Sequence, residues 1–150
     1  MALWRWIWRF IDLAMAALLV AMIALVFTNV VLRYGFASGL RQSVELSRLG
    51  LVWVVMLGAA VILRREEHLA VSELTEALLP ALVPVLRRLA YLVILISVLM
   101  LFWGAFRQMN ANWNNISQLT GLPSALIYLA GVVSALLMTV IAATRIISPD

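Results

Sequence analysis

The residues able to do chemistry are few and poorly placed for catalysis. The 150-residue chain has one histidine, His68, seven acidic side chains and no cysteine. Disulfides, thiolate metal sites and cysteine nucleophiles are thereby excluded. A single histidine cannot supply the paired axial imidazoles of a two-histidine membrane haem, and Glu66 and Glu67 beside it complete no metal-ligand spacing. Asp12 stands one turn inside an apolar run, near Arg9 and at the end of a helix whose dipole favours an anion; at the membrane edge that is an anchoring position rather than a proton-carrying one. Glu45 lies four residues after Arg41 and three before Arg48, so one helical face can hold an Arg, Glu, Arg row. No convergent polar set remains for an enzyme, and no catalytic, cofactor-binding or metal-ligating residue is expected.

The elements that position these groups must be largely lipid-embedded. Of all residues, 65% are apolar and 12% charged, about half the charged fraction of an ordinary soluble domain. So much apolar surface needs lipid as its solvent. The net charge of +4 arises from arginine alone and reads as membrane topology, since no basic patch interleaves with aromatics as a nucleic-acid groove requires. Arg5 and Arg9 precede an apolar run as in a secretory signal peptide. That run continues to Leu32, beyond a typical signal core, with no small-x-small cleavage site after it; a retained helix is expected. Trp4, Trp6 and Trp8 interleave with these arginines as an aromatic belt that anchors the helix among phospholipid headgroups.

The pattern predicts an all-α membrane protein, a single domain over 1–150 with spans near 10–32, 48–63, 87–106 and 122–144. Between Leu49 and Leu63 only fifteen residues are free of charge, short of the roughly 20 that cross a bilayer. The second span must therefore borrow length from the preceding segment, snorkel Arg48 and Arg64, or sit where protein replaces lipid; that segment, with Leu40, Val44 and Leu46 beside its charged row, is expected to form a short amphipathic helix lying in the interface between the first two spans. Arg64-Arg65-Glu66-Glu67-His68 closes the second span. Four spans put both termini on one side. Arg5, Arg9, Arg64, Arg65, Arg87, Arg88 and Arg145 lie there, against Arg33, Arg41, Arg48 and Arg107 opposite, so the termini are expected in the cytoplasm. Ala14, Ala17, Ala21, Ala24 and Thr28 recur at helical spacing and offer close packing to another helix, within the chain or in a partner; Gly58 with Ala59 and Ala60, and Gly131 with Ala135, offer the same. None of the spans carries a charged side chain in its interior, which leaves no coupled substrate site of the kind secondary transporters build at mid-bilayer. A supporting role is the economical reading. The alternative is a small multidrug exporter or channel acting as a homo-oligomer, which would depend on Asp12.

One run of motifs resembles a known family. Asn29-Val30-Val31-Leu32-Arg33-Tyr34, Glu45-Leu46-Ser47-Arg48, Trp53 with Gly58-Ala59-Ala60, Arg64-Arg65-x-Glu67-His68-Leu69, and Gly121-Leu122-Pro123 with Tyr128 follow one another as in the small integral membrane subunit of tripartite ATP-independent periplasmic (TRAP) transporters. Ahead of Glu45 the chain has Gln42-Ser43-Val44 where that family often carries an aromatic and a pair of acids. The resemblance covers nearly the whole chain. It implies a scaffold subunit in the bacterial inner membrane, with no cofactor of its own. Its partners would be a large multi-span subunit that binds sodium and moves as an elevator, and a periplasmic protein that delivers an organic acid. Arg33, Glu45, Arg48, Trp53, Gly58, Arg64, Glu67 and His68 then become candidates for interfacial anchoring or partner contact.

Overall fold

A computed structural model describes residues 2–65 and 83–147. Its four helices are α1 (Ala2–Gly35), α2 (Arg41–Arg65), α3 (Val83–Ala111) and α4 (Ala125–Ile147). Each is long and apolar enough to cross a membrane. At 1.5 Å per residue, α1 measures about 50 Å against roughly 30 Å of hydrocarbon. Its tryptophan- and arginine-bearing first turns therefore extend beyond the apolar layer or the helix tilts.

The separate interfacial helix expected between the first two spans is not an element of this structure. Residues 41–49 are the opening turns of α2, continuous with the apolar run that follows. The fifteen charge-free residues are too few to span alone, and the continuous 25-residue helix supplies the missing length, about 37 Å in all. The turn before it is made at Ala37, which adopts a left-handed φ of 51°, rather than by the neighbouring Gly35 and Gly39. The Leu32 carbonyl accepts the amides of both Phe36 and Ser38, at 3.1 and 3.0 Å, and so closes the end of α1.

The helices pack in the spatial order α1, α2, α4, α3. Among the described residues α1 meets neither α3 nor α4 backbone to backbone, so the arrangement is an open row with α2 and α4 at its centre. Burial follows that order. Half of α4's apolar window is buried, whereas the window of α1 is 6% buried. On α1 the covered residues are Trp8, Ile11, Met15, Leu18, Met22, Leu25, Asn29 and Leu32, with Ala14 beside them. Their alternating three- and four-residue spacing is the seam of a left-handed helix pair. From Arg5 onward every other residue of α1 is exposed.

The partner seam on α2 runs antiparallel. Arg64 lies at Trp8, Gly50 at Met22 and Ser43 at Leu25. At Gly50 a Cβ would come within 2.9 Å of Met22 Cγ and Sδ, so the missing side chain lets the thioether lie against the backbone. The core continues through Leu57, Ala60, Val61 and Leu63 of α2, Tyr91 and Val98 of α3, and Ala135, Met138, Ile141 and Ala142 of α4.

Candidate functional site

Several polar side chains of the described residues join one helix to another, while Ser97, Thr139 and Thr144 bond carbonyls of their own helices. At the first hairpin, Asn29 near the end of α1 accepts the Leu40 amide through Oδ1 at 2.8 Å. This satisfies a donor at the start of α2 that has no partner within its own helix. Ser43 lies inside α2 and donates its hydroxyl to the Leu25 carbonyl at 3.3 Å, so it braces the hairpin instead of capping the helix. Both bonds cross from one helix to the next and fix the angle between them.

Glu45 carries this hairpin to the second one. Half-buried, its Oε2 accepts the Ser117 hydroxyl at 2.7 Å, a short charge-assisted bond. Ser117 belongs to the connection between α3 and α4, which is itself closed by backbone bonds. Ser124 donates to Asn115 at 2.8 Å and Ser117 to Leu122 at 3.0 Å, while Gly121 takes a left-handed φ of 70°. Ser117 Oγ also accepts the Leu119 amide at 3.2 Å. One hydroxyl thus shapes the loop and ties it to α2. A recess of about 30 Å³ lies beside this bond, lined by Leu46, Leu49, Thr120, Pro123 and Ser124 among others, large enough for about one water molecule.

Deeper in the span, α2 and α4 run parallel and are joined twice. The half-buried Trp53 donates Nε1 to the Leu126 carbonyl at 3.1 Å, which answers the need of an embedded indole for an acceptor. Ser134, fully buried on α4, donates to the Met56 carbonyl at 2.6 Å. On the part of α4 that faces α3, a Cβ on Gly131 would sit 3.1 Å from Ala105 Cβ; with Ala135 also fully buried, small residues let the helices approach closely there. At the opposite end, the Arg64 guanidinium lies 4.6 Å above the ring of the buried Trp8, a cation–π contact that couples α1 to the close of α2.

The remaining candidate residues are dispersed. Arg33, Arg41 and Arg48 are exposed. Gly58 is half-buried, with nothing within 4 Å of where a Cβ would stand. Ala17, Ala21 and Ala24 are exposed, and Ala14 alone of that stripe is half-buried. Each of the exposed three directly precedes a seam residue, so the small stripe lies about 100° round the helix from the face that meets α2. Glu67 and His68 fall outside the described residues. Among the described residues no group of three or more histidine, cysteine or acidic side chains could hold a metal ion.

Sequence reasoning did not single out Gly50, Ser117 or Ser134. Ser134 had a readable signal, because a hydroxyl in an apolar span must find an acceptor there. Gly50 and Ser117 become distinctive only through residues 28 and 72 positions away in the chain, Met22 and Glu45 respectively.

Four helices, each long and apolar enough to cross a membrane, define an integral membrane protein. Its sequence places it more narrowly. Residues 22–149 match the family model described as tripartite ATP-independent periplasmic transporters, DctQ component. Two proteins of Haemophilus influenzae whose names describe TRAP transporter small permease proteins are 35% and 34% identical to it. The first alignment covers 93% of this chain and 89% of the relative, the second 85% and 79%. The chain belongs to the small permease (DctQ) family of TRAP transporters.

Proposed function

We propose that this subunit is a non-catalytic scaffold for the large membrane subunit of a TRAP transporter, which imports an organic acid with sodium while this chain holds its position in the inner membrane. The observation that carries the reading is the disposition of polar groups. The hydroxyl, amide and indole groups of Asn29, Ser43, Trp53, Ser117 and Ser134 are spent on joining α1, α2 and α4, and the cations Arg33, Arg41 and Arg48 are exposed near the hairpin end. A charged end resists entry into hydrocarbon. A part so anchored is suited to stay still while a neighbour moves.

In this reading the termini lie in the cytoplasm and the Arg107–Gly121 side faces the periplasm, where the substrate-delivery protein docks on the assembled transporter. The exposed small stripe of α1 or the open surface at Gly58 meets the large subunit, and Glu67 and His68 take part in anchoring the other end. Sodium and substrate bind to the large subunit. Replacing Arg33, Glu45 and Arg48 together by alanine tests the role of the anchored hairpin. Co-purification with the large subunit and organic-acid uptake in whole cells should both fall severalfold. Assembly and uptake at wild-type levels would sink the proposal.

A further inference from the structure

The inference concerns the connection between α3 and α4, residues 112–124. No residue between Arg107 and Arg145 is charged, whereas the connection between α1 and α2 at the same end is flanked by the exposed Arg33 and Arg41. Three large apolar side chains of the uncharged connection are uncovered: Trp113 is 53% exposed, Ile116 60% and Leu119 49%.

Bonds to both neighbouring helices fix the depth of this stretch. In α2 the charge-free residues 49–63 measure about 22 Å, short of the roughly 30 Å of hydrocarbon. The hydrocarbon edge therefore reaches past Leu49, and Glu45 stands no more than about 6 Å beyond it, within a headgroup layer about 5–8 Å deep on each side. Glu45 holds the Ser117 hydroxyl at 2.7 Å. From the other side, Ser117 donates its amide to Leu122 at 3.0 Å and Ser124 donates to Asn115 at 2.8 Å, so residues 115–117 lie against the entrance of α4. The charge-free residues 125–144 of that helix measure about 30 Å and fill the hydrocarbon, which puts its entrance at the same edge. The exposed Trp103, one turn before Arg107 on α3, marks that level a third time.

Depth and composition select the occupant. A surface for a water-soluble partner would stand above the headgroups, and a water-facing loop gains nothing from uncovered isoleucine and leucine. Indole rings favour the headgroup layer, where amides and hydroxyls stay hydrated and aliphatic side chains reach the upper acyl chains. We propose that residues 113–119 are seated in the lipid interface, with Trp113, Ile116 and Leu119 among phospholipid headgroups and upper acyl chains and the Ser117–Glu45 bond holding the stretch at that depth. This requires that the four helices cross the membrane; it does not depend on the transport role argued above or on which side the termini lie.

The chain has no cysteine, so a nitroxide label can be placed at one position at a time. In the full chain reconstituted in phosphatidylcholine nanodiscs, labels at Ile116→Cys and at Leu119→Cys should collide with oxygen, which concentrates in lipid, in preference to a water-soluble nickel chelate. Their oxygen-to-nickel ratio should be severalfold higher than that of the same label at Ser38→Cys in the α1–α2 connection. Because the label replaces the side chain in question, a photoreactive phenylalanine at Ile116, with Trp113 and Leu119 native, provides a second reading in native membranes, a phospholipid adduct. A ratio at Ile116 and Leu119 no higher than at Ser38, or a protein adduct in place of the lipid one, would overturn the proposal.

Discussion

Removing the Ser117 hydroxyl should loosen the chain where its two hairpins meet. Ser117→Ala deletes the donor that reaches Glu45 Oε2 at 2.7 Å and the acceptor of the Leu119 amide at 3.2 Å and the Thr120 amide at 3.5 Å. A hydrogen bond to a charged group contributes about 1.5–3 kcal/mol and a neutral one about 0.5–1.5. The two loop bonds are near the limit of useful geometry, so the Glu45 bond dominates. Glu45 is only half-buried, and water can reach its carboxylate once the hydroxyl is gone, which places the expected loss near the lower bound, about 1.5 kcal/mol. Glu45→Ala should cost a similar amount, because the stranded Ser117 hydroxyl can rotate toward water. If the two side chains act through each other, the double variant should lose little more than either single one, leaving a coupling of about 1–2 kcal/mol. The assay is reversible unfolding of the purified chain in mixed micelles by SDS titration, followed by tryptophan fluorescence in the wild type, both single variants and the double. Losses that add to within about 0.5 kcal/mol would refute the view that this bond joins the hairpins.

Further substitutions probe other joints. Ser134→Ala should destabilise the chain by about 0.6–1.7 kcal/mol, the range measured for interhelical hydrogen bonds in membranes, in the same SDS titration. Gly131→Leu should cost about 1–3 kcal/mol by overpacking against Ala105, while Gly58→Ala, with open space around it, should stabilise the isolated chain by up to about 1 kcal/mol through helix propensity. If Gly58→Ala leaves the isolated chain intact yet lowers recovery of the large subunit, Gly58 is a contact with that subunit. Ala37→Gly should raise stability by roughly 1 kcal/mol, because the left-handed backbone conformation is costly for alanine and not for glycine; an unchanged unfolding midpoint would contradict that account of the turn.

Sequence periodicity is informative where a helix has one wet face and one dry one, and this chain shows what happens when both faces are apolar. The four membrane-spanning helices were legible because length and hydropathy suffice to mark them. The seam of α1 was not. In lipid the outward face is as apolar as the inward one, so Met15, Leu18, Met22 and Leu25 carry no mark that separates them from Leu19, Val20 and Ile23. Small residues at helical spacing mark Ala17, Ala21 and Ala24 for contact within the chain or with a partner, and the chain leaves them exposed, so no other helix of this chain covers them among the described residues. The charged row at Arg41, Glu45 and Arg48 suggested a helix in the interface plane because a polar segment beside a short span has two solutions, a separate helix or a longer one, and the structure adopts the longer. Glu45 stood out as a candidate from its charge, but its partner Ser117 is one of several polar residues in an asparagine-rich loop, and only the fold brings the two together.

The most direct measurement of the scaffold account is a tagged purification of this chain from native membranes in mild detergent, with the intact assembly weighed and its components identified. The account predicts recovery with one large multi-span membrane protein at equal stoichiometry. Recovery of the chain alone as a homodimer would contradict it and would make Asp12, exposed in the first turns of α1, the residue to test for proton-coupled export.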